Sequence, residues 1–453
     1  MPAARPCLPA LRLPCPTGSP LHVLSLAAAA VVLAAAAPAA SAQSLKELYD
    51  AAHAYDAAYL SVRAQAESVG YRAEQTYALM RPSASLDASA GYADARYPGF
   101  GTEGGKATSV TLQGKQPIYN PANRASIKQA ERSIESAGAD LRIAEQDLIL
   151  RITQAYFDVL NAQDTLATTR ANKTAIAEQL ASAKRNFEVG TATITDTREA
   201  QARYDLATSQ EVVADNDLLT KRIALDQLVG RKDVAPKQLA VPVALPAVPG
   251  TVDDWVGRAE ATHPKVMQAQ IAYDTAQLET EKARAGHYPT LDATANYNSQ
   301  YGSQQGLVGT TTSRSIGLQV NVPLFSGFSV QNAIREKLKL EEKAREDLDA
   351  TRRSVSQTTR QAYFTLRSGL AQVKALEAAE SSSQLALEAT QVGYKVGVRV
   401  NIDVLNAQTQ LYTTQRDLAK ARYDVLVGNL QLRQAAGQLT SSDLDAINRL
   451  LAP

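Results

Sequence analysis

One folding unit is written twice along this chain. The segment NFEVGTATITD (186–196) returns as GYKVGVRVNID (393–403), 207 residues later. TQAYFDVL (153–160) returns as RQAYFTLR (360–367) at the same displacement, and LQGKQPIY (112–119) returns as LQVNVPLF (318–325) one residue nearer. A duplication of this length restricts the fold to two like units built around an axis. Each copy mixes long heptad helices with short alternating strands, a combination that few soluble domains use.

The first 42 residues hold Arg5 and Arg12 but no acid, then an apolar run from Leu21 to Ala37, then Ala40-Ser41-Ala42. This order predicts a signal peptide over 1–42, cleaved before Gln43. Cys7 and Cys15 both lie inside it, so the mature chain offers neither a disulfide nor a thiolate metal site. Without the leader, 45 of the 47 basic residues remain against 46 acidic ones, which is no nucleic-acid footprint.

Strands are expected at about 83–97, 106–117, 290–301 and 313–323. Leu86, Ala88, Ala90 and Tyr92 alternate with polar or small residues, as do Leu291, Ala293, Ala295 and Tyr297, and Ile316, Leu318, Val320 and Val322. Period-two order means a sheet with one greasy face. Tyr92, Tyr97, Phe100, Tyr297 and Tyr301 cluster near one end, and Tyr119, Tyr288, Phe325 and Phe328 near the other. Two aromatic girdles fit a barrel wall in an outer membrane. The same alternation also fits a soluble amphipathic sheet on a helical core. The glycine-rich stretches 97–108 and 301–312 read as solvent-facing hairpin connections. The first lacks the glycine that a phosphate loop would need at Phe100.

Residues 122–187 and 329–394 contain no proline, and each is expected to form one long helix. Leu148, Ile152, Ala155, Val159, Ala162 and Leu166 step by four and three, matched in the second copy by Val355, Thr359, Ala362, Leu366, Gly369 and Val373. That spacing winds helices around one another. Shorter helices are expected near 44–80, 193–230, 252–286 and 401–436. The first repeat covers 43–240 and the second 241–453. Four strands leave two bare edges that hydrocarbon cannot solvate, and four are too few to close a barrel. Copies of the chain must therefore share one wall. The mature histidines, His53, His263 and His287, are far apart and in no metal-ligand spacing. No catalytic site, metal site or cofactor is expected.

The VG turns followed by Asp196 and Asp403, the AYF blocks, the proline-ended strands and DVLNAQTQLY (403–412) together resemble the TolC family of outer-membrane export channels. The resemblance runs over about residues 44–450 and implies a mainly α protein with a membrane β-barrel. Each chain of a homotrimer would give four strands, continued by a long α-helical coiled-coil tunnel in the periplasm. Equatorial segments would lie at 231–251 and 437–453. Asp403 falls on the family's pore-facing aspartate, with Asn406 where a second aspartate often stands, which implies a single, less negative ring. Asp196, Tyr394 and Arg399, with Thr195 in support, match a latch between tip helices. The turns at Val189-Gly190 and Val396-Gly397 match the end that docks a periplasmic adaptor. The partners implied are that adaptor, an inner-membrane ABC transporter or proton-driven pump, and outer-membrane lipid. The unlipidated start and the block 193–205 lean towards type I protein secretion. Multidrug or solute efflux is the alternative within the family, and a periplasmic coiled-coil adaptor or structural protein is the alternative outside it.

Overall fold

The computed structural model describes residues 43–97, 101–240, 243, 245–304 and 307–452. The leader expected over 1–42 and the girdle residue Phe100 lie outside them. Each repeat places two short helices, a two-stranded hairpin and two longer helices in the same order. The first repeat runs α1 (Leu45–Tyr55), α2 (Ala57–Tyr77), β1 (Ser83–Tyr97), β2 (Gly101–Tyr119), α3 (Pro121–Glu188) and α4 (Ile194–Val229). The second runs α5 (Val252–Thr262), α6 (Pro264–Arg284), β3 (Thr290–Gln304), β4 (Leu307–Asn321), α7 (Ser329–Lys395) and α8 (Asn401–Ala435), and a short α9 (Ser442–Asn448) ends it.

The four strands form one antiparallel sheet in chain order, so β2–β3 joins the repeats while β1 and β4 are its edges. The register sorts the faces. Leu86 pairs Leu112, which pairs Tyr297, and Gly114 pairs Ala295, which pairs Ile316. Rows between them are polar throughout: Asp87, Thr111, Asn298 and Ser313, then Ser85, Gln113, Asn296 and Ser315. Lys115 Nζ meets Asp292 Oδ2 at 3.0 Å on that polar side. Among the described residues no helix covers the apolar side: Ile316 is 91% exposed and Leu318 69%. A soluble sheet would bury that face on its helices, so this one is shaped for another apolar medium. The register slips between Pro117 and Tyr119, where proline has no N–H to give the ladder. Strands also run deeper into the glycine-rich stretches than alternation indicates, because pairing continues from Tyr97↔Gly101 and from Gln304↔Leu307.

α3 has 68 residues, about 100 Å of helix. Asn120 Oδ1 accepts the Asn123 N–H at 3.1 Å and Pro121 occupies the first turn, where its missing N–H costs nothing. Two expected helices are each broken once. Asp56 ends α1 and caps α2, its Oδ1 accepting the Tyr59 N–H at 2.7 Å while Arg151 grips both carboxylate oxygens at 3.0 Å. The guanidinium of Arg151 holds that carboxyl below the usual range. His263 performs the same task ahead of Pro264, its Nδ1 accepting from the Lys265 N–H at 3.1 Å. Burial pushes the His263 pKa down to about 4, so the ring stays neutral and its nitrogen stays an acceptor.

The main core gathers the middle of α3, the ends of α4 and α8, α1 and α9, and in it Tyr156, Phe157, Leu160, Leu225 and Leu426 are fully buried. The chain start, the connector and the C-terminal segment are knitted there by backbone bonds: Gln43 N–H to Ala235 O, Ala240 N–H to Leu450 O, and Ala452 N–H to Gln238 O. Tyr156 Oη donates to Lys237 O at 2.9 Å.

The two repeats differ at their outer sides. α3 packs against both α4 and α8, whereas α7 has only α8 of that pair. On α8, Leu426 and Leu430 are buried at this junction. Their counterparts 207 residues earlier, Leu219 and Ile223 on α4, are each 57% exposed. Equivalent positions are therefore covered on the second repeat, where α8 meets α3 of the first, and bare on the first repeat, where α4 has no such neighbour among the described residues.

Candidate functional site

The expected site residues gather at the two turns that end α3 and α7, each a long helix away from the sheet. Both turns reverse through a left-handed glycine, Gly190 and Gly397, each at φ 78°. In each, the residue after glycine closes the turn: Thr191 N–H reaches Asn186 O at 2.8 Å, and Val398 N–H reaches Gly393 O at 2.9 Å. A side chain at either glycine would meet open space, so the constraint is backbone conformation alone. Beside them Val189, Val396, Val398 and Val400 are exposed, Val398 by 78%. Three bare valines at the α7–α8 turn form an apolar knob, and the α3–α4 turn adds Val189.

The helices leaving the turns are held unequally. At α4, Thr193 Oγ1 accepts the Asp196 N–H at 3.2 Å while Asp196 Oδ2 accepts the Thr193 N–H at 2.9 Å. This reciprocal cap satisfies two orphan donors. At α8 the residue in Thr193's place is Val400, which has no oxygen to offer. Asp403 Oδ2 is left with a long contact to the Val400 N–H at 3.5 Å and with Arg399 Nη1 at 3.7 Å. Asp403 is thus the less committed of the two equivalent acids. Arg399 fits where it does because Gly393 carries no side chain, since a Cβ there would stand 2.8 Å from Arg399 Cγ.

Within one chain, Asp196, Tyr394 and Arg399 are not brought together. Asp196 is occupied by its cap and Arg399 by Asp403. Tyr394 Oη instead accepts from Asn186 Nδ2 at 3.2 Å. The expected support from Thr195 comes from Thr193, and Thr195 is exposed. Asn406 Oδ1 accepts from Arg203 Nη2 at 3.0 Å. Asn186 and Arg203 were not singled out in the sequence, yet each ties one repeat to the other. Their signal is a difference between copies: Asn186 stands opposite Gly393, and Arg203 opposite Gln410.

α8 packs between α7 and the first hairpin. Leu405 belongs to a cluster with Ile176, Leu180, Ala183, Ala200 and Ala207, while its neighbour Val404 packs with Leu387 and Leu411. Around that seam Asn172 Oδ1, Gln408 Oε1 and both amide atoms of Asn401 find no hydrogen-bond partner among the described residues. Asn401 is 4% exposed. Each such group subtracts on the order of 1–3 kcal/mol from the packed arrangement. The seam is therefore apolar enough to close and polar enough to close weakly.

The remaining side of α8 carries Asp403, Asn406, Gln410, Thr413, Asp417, Lys420 and Asp424, in steps of three and four, all exposed or half-exposed. A stripe at coiled-coil spacing with no apolar member offers no hydrophobic seam, so it suits water better than a packed helix. Among the described residues no group of three or more His, Cys, Asp or Glu could hold a metal ion, and no helix is long and apolar enough to cross a membrane.

Comparison with known proteins agrees with this construction. The model of the outer membrane efflux protein family matches residues 48–231 and again 255–438, two stretches that begin 207 residues apart. Outer membrane protein TolC of Vibrio cholerae is 32% identical over 417 residues, covering 90% of this chain and 93% of that protein. Alkaline protease secretion protein AprF of Pseudomonas aeruginosa is 34% identical over 346 residues, covering 74% of this chain and 71% of that one. Among solved structures, the outer membrane protein VceC of Vibrio cholerae superposes with a TM-score of 0.74 at 19% identity, over 87% of this chain and 96% of that chain. The last comparison speaks to the fold alone.

Proposed function

The chain belongs to the outer membrane efflux protein family, whose members are outer-membrane channels rather than enzymes, and on that premise we propose that it is the exit duct of a type I protein-secretion system. The protein is an outer-membrane export or efflux channel. The secretion assignment is supported by a relative at 34% identity that is named for alkaline protease secretion.

The observation that carries the duct reading is the pair of unfinished sides. Repetition supplies the pattern for completing them. β2–β3 pairing and the α3–α8 packing join repeat to repeat inside one chain. Carried forward by one repeat, the same contacts set β4 beside β1 of a second copy, and α7 beside α4 of that copy. The bare Leu219 and Ile223 would then be covered as Leu426 and Leu430 already are. Three copies close twelve strands into a barrel whose greasy face meets lipid and whose polar face lines the bore. The helices continue the bore, with the polar stripe of α8 turned inward.

In that assembly Asp403 forms the pore ring, with Asn406 one turn beyond. Asp196, Tyr394, Arg399 and Thr195 supply ties between neighbouring hairpins, alongside the Asn186–Tyr394 bond inside each chain. Exposed carboxylate–guanidinium ties are worth about 1 kcal/mol or less each, weak enough for a docking partner to break. The valine-bearing turns at Val189-Gly190 and Val396-Gly397 suit a periplasmic adaptor, which would couple the duct to an ABC transporter. Deleting the gene is expected to remove at least one large protein from the culture supernatant, with resistance to small toxic solutes unchanged. Loss of resistance with an intact supernatant would assign the duct to solute efflux with a proton-driven pump instead.

A further inference from the structure

Arg203 is the unexplained charge at the tip. Its guanidinium crosses from α4 to α8 and donates to Asn406 Oδ1 at 3.0 Å, one turn from Asp403. Holding two helices together needs only a neutral donor, and the equivalent position in the second repeat is Gln410. An arginine adds a permanent positive charge and keeps spare donors after one is used. Glu199, exposed one turn nearer the tip on α4, makes no hydrogen bond or ion pair to α8 among the described residues. Arg203 is thus the α4 charge that is fixed against the polar stripe.

We propose that Arg203 is a specificity-determining residue of the aperture. Resting on the reading of that stripe as bore-facing, it sets a cationic ring about 5 Å from the Asp403 ring. The spacing is shorter than the screening length of about 8–10 Å in physiological salt, so each ring acts in the other's field. Arg399, 3.7 Å from Asp403, weakens the acidic ring further. The constriction is therefore charge-balanced. It neither concentrates cations nor repels the carboxylates and phosphates of an acidic cargo, which Arg203 can grip and release as they pass.

The test is the reversal potential of the purified full-length channel in planar bilayers across a tenfold KCl gradient, with hexaamminecobalt as a trivalent blocker. The wild type is expected to show a cation-to-anion permeability ratio near one and weak block. Arg203→Gln should raise that ratio at least threefold and strengthen the block, while Arg203→Lys keeps wild-type selectivity and Asp403→Ala shifts it towards anions. A strongly cation-selective wild type would overturn the proposal without any variant being needed. An unchanged ratio in Arg203→Gln, with Asp403→Ala still shifting it, would remove Arg203 and leave the duct reading standing. Absence of any conductance from the wild type would remove both.

Discussion

Leu318→Arg is expected to abolish recovery of the assembled channel from outer membranes, whereas Gln319→Arg, one residue on, leaves assembly intact. Leu318 sits in the last third of β4, pairs with Ala293, and is 69% exposed on the face shared with Ile316 and Val320. An arginine on a barrel's lipid face costs from about 1 kcal/mol near an interface to about 2–4 kcal/mol at the midplane, and threefold repetition multiplies that cost in each assembly. Gln319 points to the opposite face beside Asp292, where Lys115 already places a cation in water. Outer-membrane fractionation followed by unheated electrophoresis reads the result. Equal recovery of both variants would mean that the exposed face does not meet lipid.

The tip gives the second large effect. Replacing Tyr394 by Phe and Arg399 by Ser together should raise single-channel conductance and sensitise cells to large antibiotics. The double change removes the Asn186–Tyr394 bond and frees Asp403 from Arg399 in every copy. At about 1 kcal/mol per copy, three copies lose roughly 3 kcal/mol if the tip opens as a unit. That shifts the closed-to-open ratio by roughly a hundredfold, since each 1.4 kcal/mol is a factor of ten. Leu405 remains buried in the other hairpin's cluster, worth about 1.5–3 kcal/mol, so the variants should flicker rather than stay open. The unpartnered Asn172, Asn401 and Gln408 lower the barrier to that flicker. A double variant as tight as wild type would refute the latch.

Periodicity carried most of this architecture into the sequence. Alternation marked the greasy face of the sheet because Leu86, Ile316 and Leu318 have no competing neighbours there. The heptad steps mark α3 because Leu148, Ile152 and Val159 fall on one buried seam, while Ile149, Tyr156 and Phe157 bury beside it against further helices. What stayed hidden depends on contacts between distant segments. The break at Asp56 needs Arg151, 95 residues away, to stabilise a carboxylate between two helices. The break before Pro264 needs a half-buried neutral histidine. Strand pairing through the glycine-rich stretches follows from partner strands, not from the low strand propensity of glycine. Asn186 and Arg203 escape any repeat-based reading because they lie where the copies differ. The same comparison of copies, applied to exposure rather than identity, exposes the unfinished sides at Leu219 and Ile223.

Counting copies tests the account most directly. Native mass measurement of the mature protein extracted in mild detergent should give a complex of three chains and no folded single chain. A stable, folded monomer that stays soluble when detergent is withdrawn would contradict it.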